Sequence, residues 1–398
     1  MNKAIPVTEK IYWVGVNDRE TDLFESIWPL PHGVAYNAYL ILDQKVALID
    51  TVKITYQDSF LDKIKELLGD KELDYLIVNH MEPDHSGAIK ALRAVYPRLE
   101  IVGNKKTVDF LNGFYGIKDG IKVVKDGDQI ELGQHKLSFY LTPMVHWPET
   151  MMTYEEKNKV LFSGDAFGGY AALNGSIFAD QLDLAFYEEE SRRYFSTIVA
   201  KYSPMVQKAL SRLAGLDTKI IASTHGPVWK NNPEHIINRY DRWSSNQTEE
   251  GVVIVYGSMY GNTKVIAEAI AENLVKEGIA KICLYDAART DLSYMLRDIW
   301  QYRGLIVGSC TYNTELFPPV AALISALLNR RIEQRVLGIF GSYSWSSGAV
   351  KALQSFYDNQ NVKCELITPV IDAKYAPNGD VITQCEQLAR NMAAVVKK

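Results

Sequence analysis

Cysteine is scarce: four of 398 residues, at positions 283, 310, 364 and 385, all in the C-terminal third. None forms a C-x-x-C pair, which argues against zinc ribbons, rubredoxin-type centres and a disulfide framework. Each reads as a small buried apolar residue. Long apolar runs are also missing. No stretch approaches the ~18 residues of a membrane helix, and MNKAIPVTEKIYWVGV carries Glu and Lys where a signal peptide keeps an unbroken apolar region. There is no basic excess; the formal net charge is −5, which argues against a nucleic-acid partner. Neither G-x-G-x-x-G nor G-x-x-x-x-G-K-[ST] occurs, so a dinucleotide or nucleoside triphosphate site is not expected. Repeats and low-complexity tracts are absent too. These absences imply a cytoplasmic protein with no membrane or nucleic-acid partner.

What is present is enough apolar material for more than one core: 47% of residues are hydrophobic, and the length suits two to three domains. The polar stretch RYDRWSSNQTEEG (239–251) interrupts the pattern and leads into VVIVYGS (252–258), so the expected domains are 1–248 and 249–398. The first mixes strands and helices. Strands are expected at 11–16, 38–42, 45–51, 74–80, 121–125, 136–142, 159–165 and 218–226, with helices at 59–69 and 86–97. The second alternates strictly. Strands at 252–257, 280–285, 304–308, 335–340 and 364–368 are separated by helical stretches at 262–277, 289–300, 317–329, 347–358 and 382–397. That alternation predicts a doubly wound parallel sheet with ligands at its strand C-termini.

One short stretch stands out in the first domain. NHMEPDHSG (79–87) follows an apolar run and carries His80, Glu82, Asp84 and His85. In an extended turn His80, Glu82 and Asp84 would alternate with Met81 and Pro83 and point the same way, with His85 opening the next helix. His146 in PMVHWPET, Asp165 in FSGDAFGG and His225 in STHGP also lie after strands. Four of the seven histidines fall in this set; His32, His135 and His235 do not. Together they predict a binuclear metal site. Asp165 is the natural bridge, because one carboxylate can reach two metals. Gly87, Gly164 and Gly226 keep the nearby backbone unobstructed, and Asp50, closing VALID, is a candidate to orient a ligand histidine.

The second domain carries three loops of a different kind. YGSMYGNTK joins its first strand to a helix, and Ser258, Met259, Tyr260, Gly261, Asn262 and Thr263 offer backbone N–H, hydroxyl and amide donors to a phosphate. GSCTYNTELFPP follows the third strand and FGSYSWSSG the fourth. Thr311, Tyr312 and Asn313, with Gly341, Ser342, Tyr343 and Trp345, combine small residues and aromatics, as a planar ring system needs. Without an adenosine fingerprint, the cofactor expected is FMN.

The first domain resembles the metallo-β-lactamase fold, an αββα sandwich, whose binuclear hydrolases carry His-x-His-x-Asp-His where this chain has His80-x-Glu82-x-Asp84-His85. The second resembles flavodoxin. Together they resemble the flavodiiron proteins over the whole chain. The resemblance implies one iron on His80, Glu82 and His146, a second on Asp84, His85 and His225, and Asp165 bridging them. Glutamate in place of histidine suits a redox-active iron better than zinc, because carboxylate is the harder donor. The activity implied is reduction of O2 to water, of NO to N2O, or both. Reduced FMN and a diferrous pair together hold the four electrons that O2 requires. An external donor, rubredoxin or a flavin reductase, and a head-to-tail homodimer are implied as well. The rival readings are a metallohydrolase with a regulatory flavodoxin domain, against which Glu82 argues, and a simple electron carrier, against which seven intact ligands argue.

Overall fold

The computed structural model describes residues 3–398. The chain forms two compact units, Met1–Asp241 and Arg242–Lys398. The division falls inside the helix Pro233–Ser244, whereas composition suggested a break near 248. That segment is helical because Ile236, Tyr240 and Trp243 are buried at helical spacing among its polar residues.

The first unit is built on two sheets. A seven-stranded sheet runs Ile5–Pro6, Ile11–Trp13, Tyr39–Ile41, Ala47–Ile49, Tyr75–Ile77, Glu100–Gly103, Ile121–Val123. A six-stranded sheet runs Gln129–Glu131, Lys136–Leu141, Met151–Glu155, Val160–Phe162, Ile220–Ala222, Trp229–Lys230. Alternate residues of the first (Ile11, Tyr39, Ile49, Ile77) share one apolar cluster with Leu137, Phe139, Met151 and Phe162 of the second. The sheets therefore pack face to face. Leu40, Leu48 and Leu76 point the other way and are equally buried, which is why continuous apolar runs mark these strands.

Around the NHMEPDHSG stretch the first unit differs from expectation in two details. The strand before the NHMEPDHSG stretch ends at Ile77, and Pro83–Ser86 is a short helix. Asp84 therefore sits on a helical turn rather than on an extended one, and His85 is helical as expected, in a turn that already opens at Pro83. Pro83 at the first helical position favours this, since its fixed φ suits a helix start.

The second unit has parallel strands in the order Ile282–Asp286, Glu249–Gly257, Tyr302–Tyr312, Glu333–Tyr343, then Lys363–Leu366 and Ile371–Lys374. This is the flavodoxin-like order 2-1-3-4-5. The helices Asn262–Lys276 and Gly379–Val396 bury Ile266, Ile270, Leu388 and Met392 in the apolar cluster of this sheet. The third and fourth strands run further than expected: Ser309 pairs with Gly341 and Cys310 with Ser342. Thr311, Tyr312, Gly341, Ser342 and Tyr343 thus sit on strand ends, not in free loops. The fifth strand is split in two around Pro369, which cannot donate to a ladder.

Candidate functional site

The seven metal-ligand candidates converge. His80, Glu82, His146 and Asp165 form one cluster of donor atoms, and Asp84, His85 and His225 another. Local chain geometry delivers them. His80, Asp165 and His225 each lie three residues beyond the end of a strand, after Ile77, Phe162 and Ala222, and the last two strands pair in parallel with Phe162 opposite Ala222. Gly164 turns the chain before Asp165 with φ +58°, a conformation glycine adopts without cost.

Asp165 faces both clusters. Its Oδ2 lies 3.1 Å from His146 Nε2 and 3.6 Å from His80 Nε2. Its Oδ1 lies 3.0 Å from His85 Nε2 and 3.8 Å from His225 Nε2. Glu82 Oε2 stands 3.1 Å from both His80 and His146, and Asp84 Oδ2 stands 3.3 Å from His85 and 3.4 Å from His225. Thr224 donates its hydroxyl to Asp165 Oδ1 at 2.5 Å.

Outer partners orient the rings. Glu149 Oε1 takes His80 Nδ1 at 2.8 Å and the Met81 N–H at 2.9 Å. The Ala35 carbonyl takes His225 Nδ1 at 2.8 Å. Asp50 works differently from expectation: it accepts from the backbone and side-chain nitrogens of Asn79 at 2.8 and 3.1 Å. It holds the strand-to-loop backbone, and the ring of His80 is left to Glu149. Asn37 closes the other side, accepting from Trp13 Nε1 and donating to the carbonyls of Ser223 and Gly226, one on each side of His225. Of the remaining histidines, His135 pairs with Asp43 and His235 with Glu188.

Aromatic rings wall the site. Phe24 meets His225 edge-on at 5.3 Å, and Trp147 meets His80 at 5.1 Å. Phe24 belongs to a hairpin, Leu23–Phe24 with Trp28–Pro29, held by Arg193 donating to the Pro29 carbonyl at 3.0 Å. Asn37 and Phe24 escape sequence reasoning because nothing near them in the chain is unusual, and Glu149, three residues after His146, reads as a turn residue because its partner His80 is 69 residues away.

These residues fit metal ions. The Nε2 atoms of His85 and His225 lie 2.9 Å apart beside carboxylates, and both oxygens of Asp84 are buried without a hydrogen-bond donor. Such an arrangement is costly unless a cation sits among the donors. In its absence protons take that role. Burial opposes charge on His80, His85 and His146, yet neighbouring carboxylates outweigh it, Asp165 first for His80 and His146 and Asp84 first for His85. His85 and His146 are raised to about 9 and His80 well above its usual value. Burial likewise works against the charged form of Asp165, but the imidazoles of His85 and His80 hold it well below the ordinary carboxylate range.

In the second unit a cleft of about 270 Å³ opens at the strand C-termini. Of the expected residues, Ser258, Met259, Tyr260, Asn262, Thr263, Thr311, Ser342 and Tyr343 line it. Gly261 is the N-cap of the helix Asn262–Lys276 at φ 98° and offers no side-chain cap. First-turn N–H groups are thus left for an anion. Thr263 and Ser342 share a hydroxyl–hydroxyl bond of 2.7 Å that ties the first turn of this helix to the end of the fourth strand. Tyr312, Asn313, Gly341 and Trp345 stand outside the immediate lining. Tyr312 and Trp345 are solvent-facing, at 41% and 79% exposure. Asn313 is left-handed at φ 49°, and Gly341 packs against Val350. The cradle and its small polar lining fit FMN.

Comparison with known proteins agrees with this layout. The ODP family beta lactamase model matches residues 34–226, and the Flavodoxin model matches 254–387. The chain is 33% identical over 399 residues to the nitric oxide reductase of Moorella thermoacetica, covering 99% of each. It is 34% identical over 397 residues to the anaerobic nitric oxide reductase flavorubredoxin of Salmonella arizonae, covering 98% of this chain and 82% of that one. Among solved structures, rubredoxin oxygen:oxidoreductase from the anaerobe Desulfovibrio gigas superposes with a TM-score of 0.94 at 29% identity, covering 99% of each chain. The flavodiiron protein of Giardia intestinalis superposes with a TM-score of 0.93 at 26% identity, covering 99% of this chain and 97% of that one. Two units of these types in this order, with relatives similar along nearly the full length, mean that the chain belongs to the flavodiiron family.

Proposed function

We propose that the protein is a flavodiiron oxidoreductase that reduces O2 to water, NO to N2O, or both, with electrons relayed through FMN from an external donor. The observation that carries this reading is the donor set: three carboxylates and four imidazoles, with Asp165 offering one oxygen to each cluster. A bound iron pair supplies two electrons and open positions for a diatomic molecule, and bound FMN supplies two further electrons. The chain's own residues do the rest. His80, Glu82 and His146 hold one metal; Asp84, His85 and His225 hold the other. Glu149 fixes the donor face of His80, and the Ala35 carbonyl that of His225. Phe24 and Trp147 keep bulk water from the rings they cover. Hydrolysis is disfavoured because Glu82 replaces an imidazole of the hydrolase pattern.

FMN sits, in this proposal, with its phosphate on the Ser258–Thr263 turn and its ring against Thr311, Tyr312 and Asn313 on one side and Gly341, Ser342, Tyr343 and Trp345 on the other. The donor is a separate protein, rubredoxin or a flavin reductase. The names of the Desulfovibrio and Salmonella relatives support the first, and the absence of a C-x-x-C pair supports a separate chain. A cytoplasmic setting suits four free cysteines. Among the described residues no helix is long and apolar enough to cross a membrane. A head-to-tail homodimer, in which the flavin of one subunit serves the iron pair of the other, completes the proposal.

The test is protein reconstituted with iron and FMN. It should hold two irons and one FMN per chain and consume O2 or NO when its flavin is chemically reduced. Tight zinc with no iron-dependent turnover would refute the reading. The homodimer is checked by mixing His146→Ala protein with protein disrupted in the Ser258–Thr263 turn. Recovered activity supports transfer between chains, and dead mixtures in which heterodimers demonstrably form refute it.

A further inference from the structure

The flavin cleft has a wall that comes from neither the phosphate turn nor the two ring-side strand ends. Tyr375 and Ala376, just past the strand Ile371–Lys374, line the same cavity as Ser258, Thr311 and Tyr343. The ladder explains how they reach it. Ser342 pairs with Ala373 and Tyr343 with Lys374, and the Tyr375 N–H donates to the Tyr343 carbonyl at 2.8 Å. Tyr375 therefore continues the fifth strand beside the end of the fourth.

Two features set this residue apart from a plain strand end. Its backbone is left-handed, φ 68°, a conformation that is strained for a residue with a bulky side chain and that tends to persist where function holds it. Its ring is 60% exposed although aromatic. One face carries Lys374 Nζ at 5.0 Å from the centroid, which leaves the opposite face for a second planar group. The position also indicates which part of a flavin it meets. In the order 2-1-3-4-5 the fifth strand lies three strand spacings, ~14 Å, from the first. That is too far for the phosphate on the Ser258–Thr263 turn and suits the ring.

We propose that Tyr375 is a flavin-positioning residue: its strained backbone presents an aromatic wall to the isoalloxazine ring, adding a fifth-strand contact to the FMN site. The proposal rests on the FMN reading above. It is tested on flavin-free protein by titrating FMN and riboflavin against wild type, Tyr375→Phe, Tyr375→Asn and Tyr375→Gly, following the quenching of flavin fluorescence, with thermal unfolding of each flavin-free variant alongside.

Tyr375→Gly relieves the left-handed strain, so its flavin-free form should unfold no lower than wild type. Its Kd for FMN should nonetheless rise roughly tenfold, the scale of one aromatic contact. Asn, which tolerates the same backbone, should behave alike, and Phe should bind close to wild type. Riboflavin should lose affinity by the same factor, because the contact is to the ring. Gly and Asn variants that bind FMN within twofold of wild type would overturn the proposal while leaving the FMN reading intact. A loss seen for FMN and not for riboflavin would overturn the ring assignment. Wild type that fails to bind FMN overturns the reading and the proposal together.

Discussion

Loading the metal centre should expel protons, and their number follows from the site. His85 and His146 are raised to about 9, and His80 is shifted well above its usual value by the same carboxylates. At pH 7 His85 and His146 therefore carry a second proton in metal-free protein. A ligating imidazole must be neutral on its donor nitrogen, so filling the site displaces about two protons from these two residues, and His80 adds to them. Protons lost by metal-bound water add to that count. At pH 9 His85 and His146 are each half-protonated, so the number they release falls by about one. The same shifts set the stability of the empty unit. A raised imidazole stabilises fully below its unfolded value near 6.5 and ceases to do so as pH rises through about 9. Either residue is worth about 3 kcal/mol, and because both lean on Asp165 the two do not simply add. The assay is calorimetric titration with Fe(II) or Co(II), without oxygen, in buffers of different ionisation enthalpy at pH 7 and pH 9. Release below one proton at pH 7, or release that grows towards pH 9, would show that the empty site is not held together by charged imidazoles.

Three further outcomes are expected. Glu82→His should retain the fold, lose iron more readily to a chelator and suppress turnover with reduced FMN; unchanged turnover at an intact iron pair would show that this position is not the discriminating one. Glu149→Ala strips His80 Nδ1 and the Met81 N–H of their acceptor and should weaken metal affinity roughly 10–100-fold in a chelator competition, with Glu149→Gln intermediate. Asn37→Ala leaves the Trp13 indole N–H and the Gly226 carbonyl without their partner, while Ser223 keeps the Tyr39 hydroxyl; it should cost about 2 kcal/mol in denaturant unfolding of metal-free protein, whereas a loss below 1 kcal/mol would mean water replaces the amide.

The convergence of the seven candidate donors was legible because chemistry compressed them. Four lie within six residues of one another, from His80 to His85, and the rest follow strands whose apolar runs are easy to see. Glu149 was not legible. It meets His80 across 69 residues of chain, and a glutamate in PMVHWPET reads as an ordinary turn residue. Asn37 hides for the same reason, reaching Ser223 across 186 residues. The third and fourth flavin strands were located along the chain but drawn too short, because small polar residues such as Ser309 and Ser342 look like loop and are nevertheless paired. Tyr375 was invisible because the split of the fifth strand depends on Pro369, and a proline there reads as the end of a strand rather than as an interruption.

The equal spacing of His80, Asp165 and His225 beyond their strands makes this scaffold a measuring device. What it specifies is a count of residues from a fixed rung, not the identity of the residue that lands there. Exchanging one donor for another alters which metal is preferred and what it can do, while the position of the donor survives. Adding or removing a single residue between Ile77 and His80, or between Phe162 and Asp165, leaves every donor present in the sequence but shifts His80 or Asp165 out of register with the rest. Chains of this architecture can therefore drift between chemistries by substitution, and lose the centre altogether by an insertion that a composition-based reading would not notice.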